Sequence, residues 1–274
     1  MRIAVIQMVS SQHVATSLRQ LTELTQDLAT SNVDAIFLPE NFAALGHQNP
    51  AEIAKQESPG QGPIQDYLRE LCTSTNSWVF AGTMPLGYRA DTSVLKDGRV
   101  RAASLVFDAN GMIQSRYDKI HMFDVDVDDA HRHYRESDTF EHGDEVVSVP
   151  TPWGEIGLSV CYDLRFSELY LTLAKRGVVM MTAPSAFTVP TGKAHFETLM
   201  RARAIESFVF MVAACQGGSH DSGRETYGHS MVVNPWGEIV AEAATGEDVL
   251  IVDIDFAEVA AARSSLPVLQ QRRL

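Results

Sequence analysis

Cysteine is scarce in this chain: three in 274 residues, Cys72, Cys161 and Cys215. They are far apart, odd in number and form no Cys-x-x-Cys. That excludes a disulfide framework, a zinc knuckle and a thioredoxin-like redox pair. Positive charge is also short. Lys and Arg number 22 against 35 Asp and Glu, a net charge of −13. Nucleic acid and anionic membrane surfaces repel such a protein, so neither is an expected partner. No apolar run approaches the ~20 residues of a membrane span. The opening run Ile3-Ala4-Val5-Ile6 is too short for a signal peptide. There is no low-complexity tract and no shift in composition, so residues 1–274 read as one domain. The expectation is a soluble protein of a reducing compartment, most simply the cytoplasm.

What is present is apolar material, 45% of the chain, enough for a large core. Residues 3–8, 33–38, 78–84, 156–160, 178–182, 209–214 and 249–254 read as buried strands. Residues 14–28, 64–73, 167–175, 194–208 and 257–263 carry helical stripes. Val94 and the run 102–107 suggest a hairpin pair, with a turn at Asp108-Ala109-Asn110-Gly111. Strands alternating with amphipathic helices predict an α/β fold. The longest stretch without clear period is 124–143, polar and rich in acids and histidines. A loop of that length in a compact domain is usually functional or mobile.

The chemistry concentrates at three points. Cys161 ends the run Ile156-Gly157-Leu158-Ser159-Val160 and precedes a polar, helix-starting segment. A strand-to-helix turn presents a side chain beside free backbone N–H groups, which suits a nucleophile. Seen alone, Cys161 would read as a small core residue. Glu40 follows Ile36-Phe37-Leu38-Pro39, at a strand exit where α/β proteins build their sites. Lys119 lies in Tyr117-Asp118-Lys119-Ile120-His121, among apolar neighbours that imply burial and a charged partner. Together a carboxylate, an ammonium and a thiol suffice for amide hydrolysis. The carboxylate takes the thiol proton, and the ammonium stabilises thiolate and oxyanion.

Leu38-Pro39-Glu40, Tyr117-Asp118-Lys119-Ile120-His121 and Gly157-Leu158-Ser159-Val160-Cys161-Tyr162-Asp163-Leu164-Arg165-Phe166 resemble, in order and spacing, the three signature motifs of the nitrilase (carbon–nitrogen hydrolase) superfamily. The resemblance covers essentially the whole chain. It implies a four-layer α-β-β-α sandwich that associates into homodimers or larger assemblies. It implies Glu40 as general base, Lys119 as oxyanion stabiliser, Cys161 as nucleophile and the Tyr162 N–H as second oxyanion donor. A second acidic residue is expected after the lysine; Glu136 is preferred over Asp126, whose side chain is a methylene shorter. Pro184-Ser185-Ala186-Phe187, Thr191-Gly192 and Arg201-Ala202-Arg203-Ala204-Ile205-Glu206 resemble the Nit-type amidase branch. That branch cleaves side-chain (ω) amides of small 2-oxo acids, such as deaminated glutathione or 2-oxoglutaramate, with release of ammonia and no cofactor. By the same likeness Arg165, Phe187 and Thr191 would hold the substrate. A guanidinium can grip a carboxylate in bidentate fashion, so an anionic amide is expected.

Several alternatives stay open. His121 could activate Cys161 as a dyad in place of Glu40. Arg165 could instead be a structural ion pair with Asp163 or Glu168. Arg201, Arg203 and Glu206 read as structural, with Arg203–Glu206 an i,i+3 pair. Asp124, Asp126 and Asp128 fail the calcium-loop pattern, which requires Gly and Glu where this chain has Asp129 and Arg135. His131, His133 and Glu136 match no zinc spacing, and no metal is expected. N-carbamoyl hydrolysis, acyl transfer and a catalytically silent binding protein are the competing functions.

Overall fold

The computed structural model describes residues 1–129 and 131–273. Five strands arise from the first 118 residues: β1 (Arg2–Gln7), β2 (Ala35–Leu38), β3 (Trp78–Leu86), β4 (Arg101–Phe107) and β5 (Ile113–Asp118). A short hairpin follows, β6 (Asp124–Asp126) and β7 (His133–Arg135). Then come β8 (Ser148–Thr151), β9 (Gly154–Gly157), β10 (Met180–Thr182) and β11 (Phe210–Ala213). A second hairpin, β12 (Gly217–Ser219) and β13 (Glu225–Tyr227), precedes β14 (Met231–Val233), β15 (Ile239–Glu242) and β16 (Asp248–Asp253). The helices are α1 (Val14–Thr25), α2 (Pro50–Ala54), α3 (Pro63–Thr75), α4 (Ser167–Lys175), α5 (Val189–Ser207), α6 (Ala257–Ser265) and α7 (Val268–Gln271).

Two six-stranded sheets result, ordered β16-β1-β2-β3-β4-β5 and β15-β14-β11-β10-β9-β8. Their layering follows from strand periodicity. Successive side chains of a strand point to opposite faces. Ile3, Val5, Ala35, Phe37 and Phe80 join the core shared with the second sheet. Their neighbours Ala4, Ile6, Ile36, Leu38 and Val79 pack with Leu21 of α1 and with Leu68, Leu71 and Cys72 of α3. On the far side, Leu169 and Leu173 of α4 and Phe196 and Met200 of α5 close the second sheet. The order is helix, sheet, sheet, helix: the expected α-β-β-α sandwich. Trp78 of β3 meets Trp153, in the β8–β9 turn, edge to face across the sheets, with ring centroids 5.8 Å apart.

Strand directions gather the chemistry. β2 and β3 run parallel, and two antiparallel steps bring β5 into the same direction. Glu40 and Lys119 therefore leave the sheet at one edge, beyond the carboxyl ends of β2 and β5. β9, β10 and β11 are also parallel to one another. Cys161, Ala186 and Gln216 follow their carboxyl ends. A bridge between Met8 and Gln216 joins the two edges. Two glycines allow the close approach. A Cβ on Gly82 would lie 1.8 Å from the Pro39 carbonyl oxygen, and one on Gly143 would lie 2.1 Å from that of Asp118.

Some sequence expectations need correction. Val94 does not pair with 102–107. It bridges to Tyr88, while β4 pairs with β3 and β5. The 14–28 stripe is interrupted: α1 stops at Thr25, and Leu28–Thr30 form a 3-10 turn. α5 starts five residues before Ala194, because Pro190 sits in its first turn, where a missing N–H costs nothing. The aperiodic 124–143 contains the β6–β7 hairpin and a 3-10 turn at Glu136–Asp138. No helix among the described residues is long and apolar enough to cross a membrane.

Candidate active site

Lys119 is the hub. Its Nζ donates to Glu40 Oε1 at 2.7 Å and to both oxygens of Glu136, at 2.9 and 2.8 Å. Lys119 is 2% exposed and Glu40 4%. An ammonium this deep requires anionic partners, and it has two. Burial alone would lower the Lys119 pKa; the charges of Glu136 and Glu40 overcome it and hold the group well above the usual lysine range. Burial, opposed by Lys119 and reinforced by the charge of Glu40, pushes Glu136 up.

Each carboxylate is also fixed from behind. Glu40 Oε2 accepts from the Ala186 N–H at 2.9 Å. The Glu40 carbonyl accepts from Gln216 Nε2 at 3.0 Å, and the next N–H, of Asn41, donates to Thr83 Oγ1 at 2.8 Å. Glu136 Oε2 accepts from the Phe123 N–H at 2.6 Å. Of the two acidic candidates, Glu136 is the one that contacts Lys119. Asp126 is turned outward, paired with His133 and Arg135 at 2.8 and 2.9 Å.

Cys161 opens a 3-10 turn, Cys161–Arg165, with φ of +49°, a left-handed backbone that is strained for a side chain of this kind. The strain is held by Asp163, whose Oδ2 accepts from the Val160 N–H at 2.8 Å and the Tyr117 hydroxyl at 2.7 Å. From α5, Arg203 donates Nε and Nη2 to the Leu164 carbonyl at 2.9 and 2.7 Å and pairs with Glu206 at 2.6 Å. The structural reading of Arg203 stands, and its task is to anchor the turn. Tyr162 lies in the first turn, where backbone N–H groups have no acceptor inside the helix. Burial, then the Glu40 charge, raises the Cys161 thiol well above its ordinary value, against the opposing pull of Lys119 and the Ala186 N–H. Burial and the Glu40 charge both favour the neutral thiol over the thiolate.

Glu40, Lys119, Glu136, Cys161, Tyr162, Arg165, Phe187 and Thr191 all line one cavity of about 240 Å³. His121 is not among its lining residues. Its Nδ1 lies 2.6 Å from Asp163 Oδ1, and its ring stacks on Phe166 at 3.6 Å, so it faces away from a dyad with Cys161. Arg165 does not pair with Asp163 or Glu168. Its Nη1 is 3.3 Å from His195 Nδ1, and its guanidinium lies over the rings of Tyr162 and Phe187 at 5.7 and 5.6 Å. Thr191 Oγ1 is 2.7 Å from Thr188 Oγ1. Among the described residues, no group of three His, Cys, Asp or Glu is placed to hold a metal ion.

Sequence reasoning missed the contributions of Ala186, Gln216 and Asp163. Backbone donors such as Ala186 N–H carry no sequence signal. Gln216 stands three residues past β11, on the same sheet edge as the others, and that placement was its available sign.

Residues 2–264 match the model of the carbon-nitrogen hydrolase family. The chain is 38% identical over 272 residues to the deaminated glutathione amidase of Yersinia enterocolitica, covering 99% of this chain and 92% of that protein. It is 33% identical over 277 residues to the deaminated glutathione amidase of Dictyostelium discoideum, covering 100% of this chain and 94% of that protein. The crystal structure of the C. elegans NitFhit protein superposes with a TM-score of 0.88 at 35% identity over 99% of this chain, which spans 65% of that longer one. With the sandwich, the three motifs and a family model matched from the second residue to 264, this chain belongs to the carbon-nitrogen hydrolase family, hydrolases of carbon–nitrogen bonds other than peptide bonds.

Proposed function

We propose that the protein hydrolyses the ω-amide of a small 2-oxo acid, of the kind found in 2-oxoglutaramate and deaminated glutathione, through a thioester on Cys161. The observation that carries this reading is the Lys119 ammonium held between Glu40 and Glu136 on the cavity that Cys161 lines. Two relatives matched over nearly their full length are named deaminated glutathione amidase, which supports the substrate class.

In this mechanism Glu40 takes the Cys161 proton as the sulfur attacks the amide carbon. The developing oxyanion receives hydrogen bonds from Lys119 Nζ and the Tyr162 N–H. Collapse breaks the C–N bond, and the amine leaves with the proton returned by Glu40. A primary amide gives ammonia; a substituted amide gives its own amine. Glu40 then takes a proton from water, which attacks the thioester, and the acid departs as the thiol re-forms. Glu136 holds Lys119 in place and offers an acceptor to the substrate amide. Arg165 grips the 2-oxo acid carboxylate, with Phe187 and Thr191 on either side.

The three free thiols suit a reducing compartment, and the reading places the protein in the cytoplasm as a homodimer or larger homo-oligomer. Light scattering reports the assembly. The substrate reading is tested by screening ω-amides of 2-oxo acids for amine release. Turnover of 2-oxoglutaramate without carbon dioxide is expected. Release of carbon dioxide from N-carbamoyl compounds, with 2-oxo acid amides untouched, would replace it.

A further inference from the structure

Two guanidiniums on the cavity wall have no carboxylate partner. Arg165 and Arg224 both line the cavity. Neither forms an ion pair among the described residues, in a chain where acids outnumber bases 35 to 22. Arg224 Nε is buried and has no hydrogen-bond partner among those residues. Arg135, on the same wall, behaves differently: Asp126 holds it at 2.9 Å. A half-buried guanidinium left unpaired in so acidic a protein sits in an environment that would favour an anion from outside.

The two arginines are joined by a chain of rings. Arg224 lies 5.6 Å from the Tyr134 ring centroid, Tyr134 is 5.1 Å from Phe123, Phe123 is 5.2 Å from Tyr162, and Arg165 is 5.7 Å from Tyr162. Cys161 adjoins Tyr162 in sequence, and both line the cavity with Arg224. Tyr134 is fixed there by its hydroxyl, which donates to Asp129 Oδ2 at 2.8 Å. A substrate with its amide carbon at Cys161 has two arms, acyl and amine. Arg165, four residues beyond Cys161, serves the acyl carboxylate in the functional reading above. Ammonia as leaving group would give Arg224 nothing to bind.

We propose that Arg224 is a specificity-determining residue that binds a carboxylate on the amine arm of the substrate, the terminal carboxylate in the case of deaminated glutathione. This rests on the amidase reading, and it assigns Arg224 a part that the catalytic cluster does not need.

The test compares deaminated glutathione with the same molecule whose terminal carboxylate is capped as a carboxamide, using wild type and Arg224→Gln. Wild type should favour the free carboxylate by roughly tenfold or more in kcat/KM, chiefly through KM, the worth of one charge-assisted pair. Arg224→Gln should turn over both at similar efficiency, and Arg224→Lys should restore part of the preference. Each preference is a ratio within one protein, so partial misfolding of a variant cancels. Indifference of the wild type to the cap, or an undiminished preference in Arg224→Gln, overturns the proposal while the amidase reading survives. Failure of the wild type to hydrolyse 2-oxoglutaramate and both test amides overturns the amidase reading, and this inference with it.

Discussion

Asp163 Oδ1 stands 2.6 Å from His121 Nδ1 and accepts from the His121 N–H at 3.1 Å. The segment after Lys119 is thereby tied to the turn that carries Cys161. Asp163 is fully buried and also serves Tyr117 and Val160, so one carboxylate sets the register of two catalytic segments. Asp163→Ala should strip acceptors from several buried donors and cost about 3 kcal/mol or more, read from urea unfolding. A loss under about 1 kcal/mol would mean that the two segments hold their positions independently.

Lys119 separates two carboxylates, so its removal has an electrostatic signature. Lys119→Met should destabilise the protein by about 3–5 kcal/mol at neutral pH, because Glu40 and Glu136 are left facing each other without a cation. Adding Glu136→Gln should recover part of that loss. The single variant should regain stability as pH falls toward 5, since protonating one carboxylate relieves the repulsion. Thermal melts across pH would show it; a pH-independent deficit would not fit.

Glu40→Gln should slow catalysis and quicken alkylation. As general base lost from both half-reactions, it should lower kcat by roughly a hundredfold to ten-thousandfold. After burial, the Glu40 charge is the next cause that raises the Cys161 thiol. Without it, iodoacetamide labelling of Cys161 should titrate at lower pH than in wild type. Rapid turnover by Glu40→Gln would remove Glu40 from the base role.

Alkaline stability follows from the buried thiols. Burial raises Cys161 and Cys215 above the ordinary thiol value and pushes Cys72 up to about 12. Each folded-state pKa exceeds the unfolded one, so the contribution is full below about pH 8.5 and is lost as pH rises, because only the unfolded chain ionises there. The urea midpoint should fall above pH 9, and Cys215→Ala should flatten that fall. An unchanged slope in the variant would mean that other groups cause it.

Much of this was legible before the fold was seen, and for identifiable reasons. β1, β2 and β3 are buried on both faces, so 3–8, 33–38 and 78–84 read as continuous apolar runs. Glu40, Lys119 and Cys161 stand at strand exits within recognisable motifs. Glu136 is favoured over Asp126 by its place in a long loop and its longer side chain, and Glu136 is the one that contacts Lys119. The rest was hidden by scale. β6 and β7 are three residues each, too short for an alternation to register. Val94 was apolar but is 65% exposed, on a loop that only its bridge to Tyr88 defines. The early start of α5 could have been read from Thr188-Val189-Pro190, a helix-entry pattern. Arg224 could not be, because what distinguishes it is the lack of a partner in space.

The central claim is a covalent acyl group on one named sulfur. The most direct measurement is peptide mass mapping of wild-type protein acid-quenched during turnover of 2-oxoglutaramate. The 2-oxoglutaryl mass should appear on the peptide containing Cys161, be absent from those containing Cys72 and Cys215, and vanish as substrate is exhausted. Continued amine release with no adduct at Cys161, or undiminished turnover by Cys161→Ala, would contradict the account.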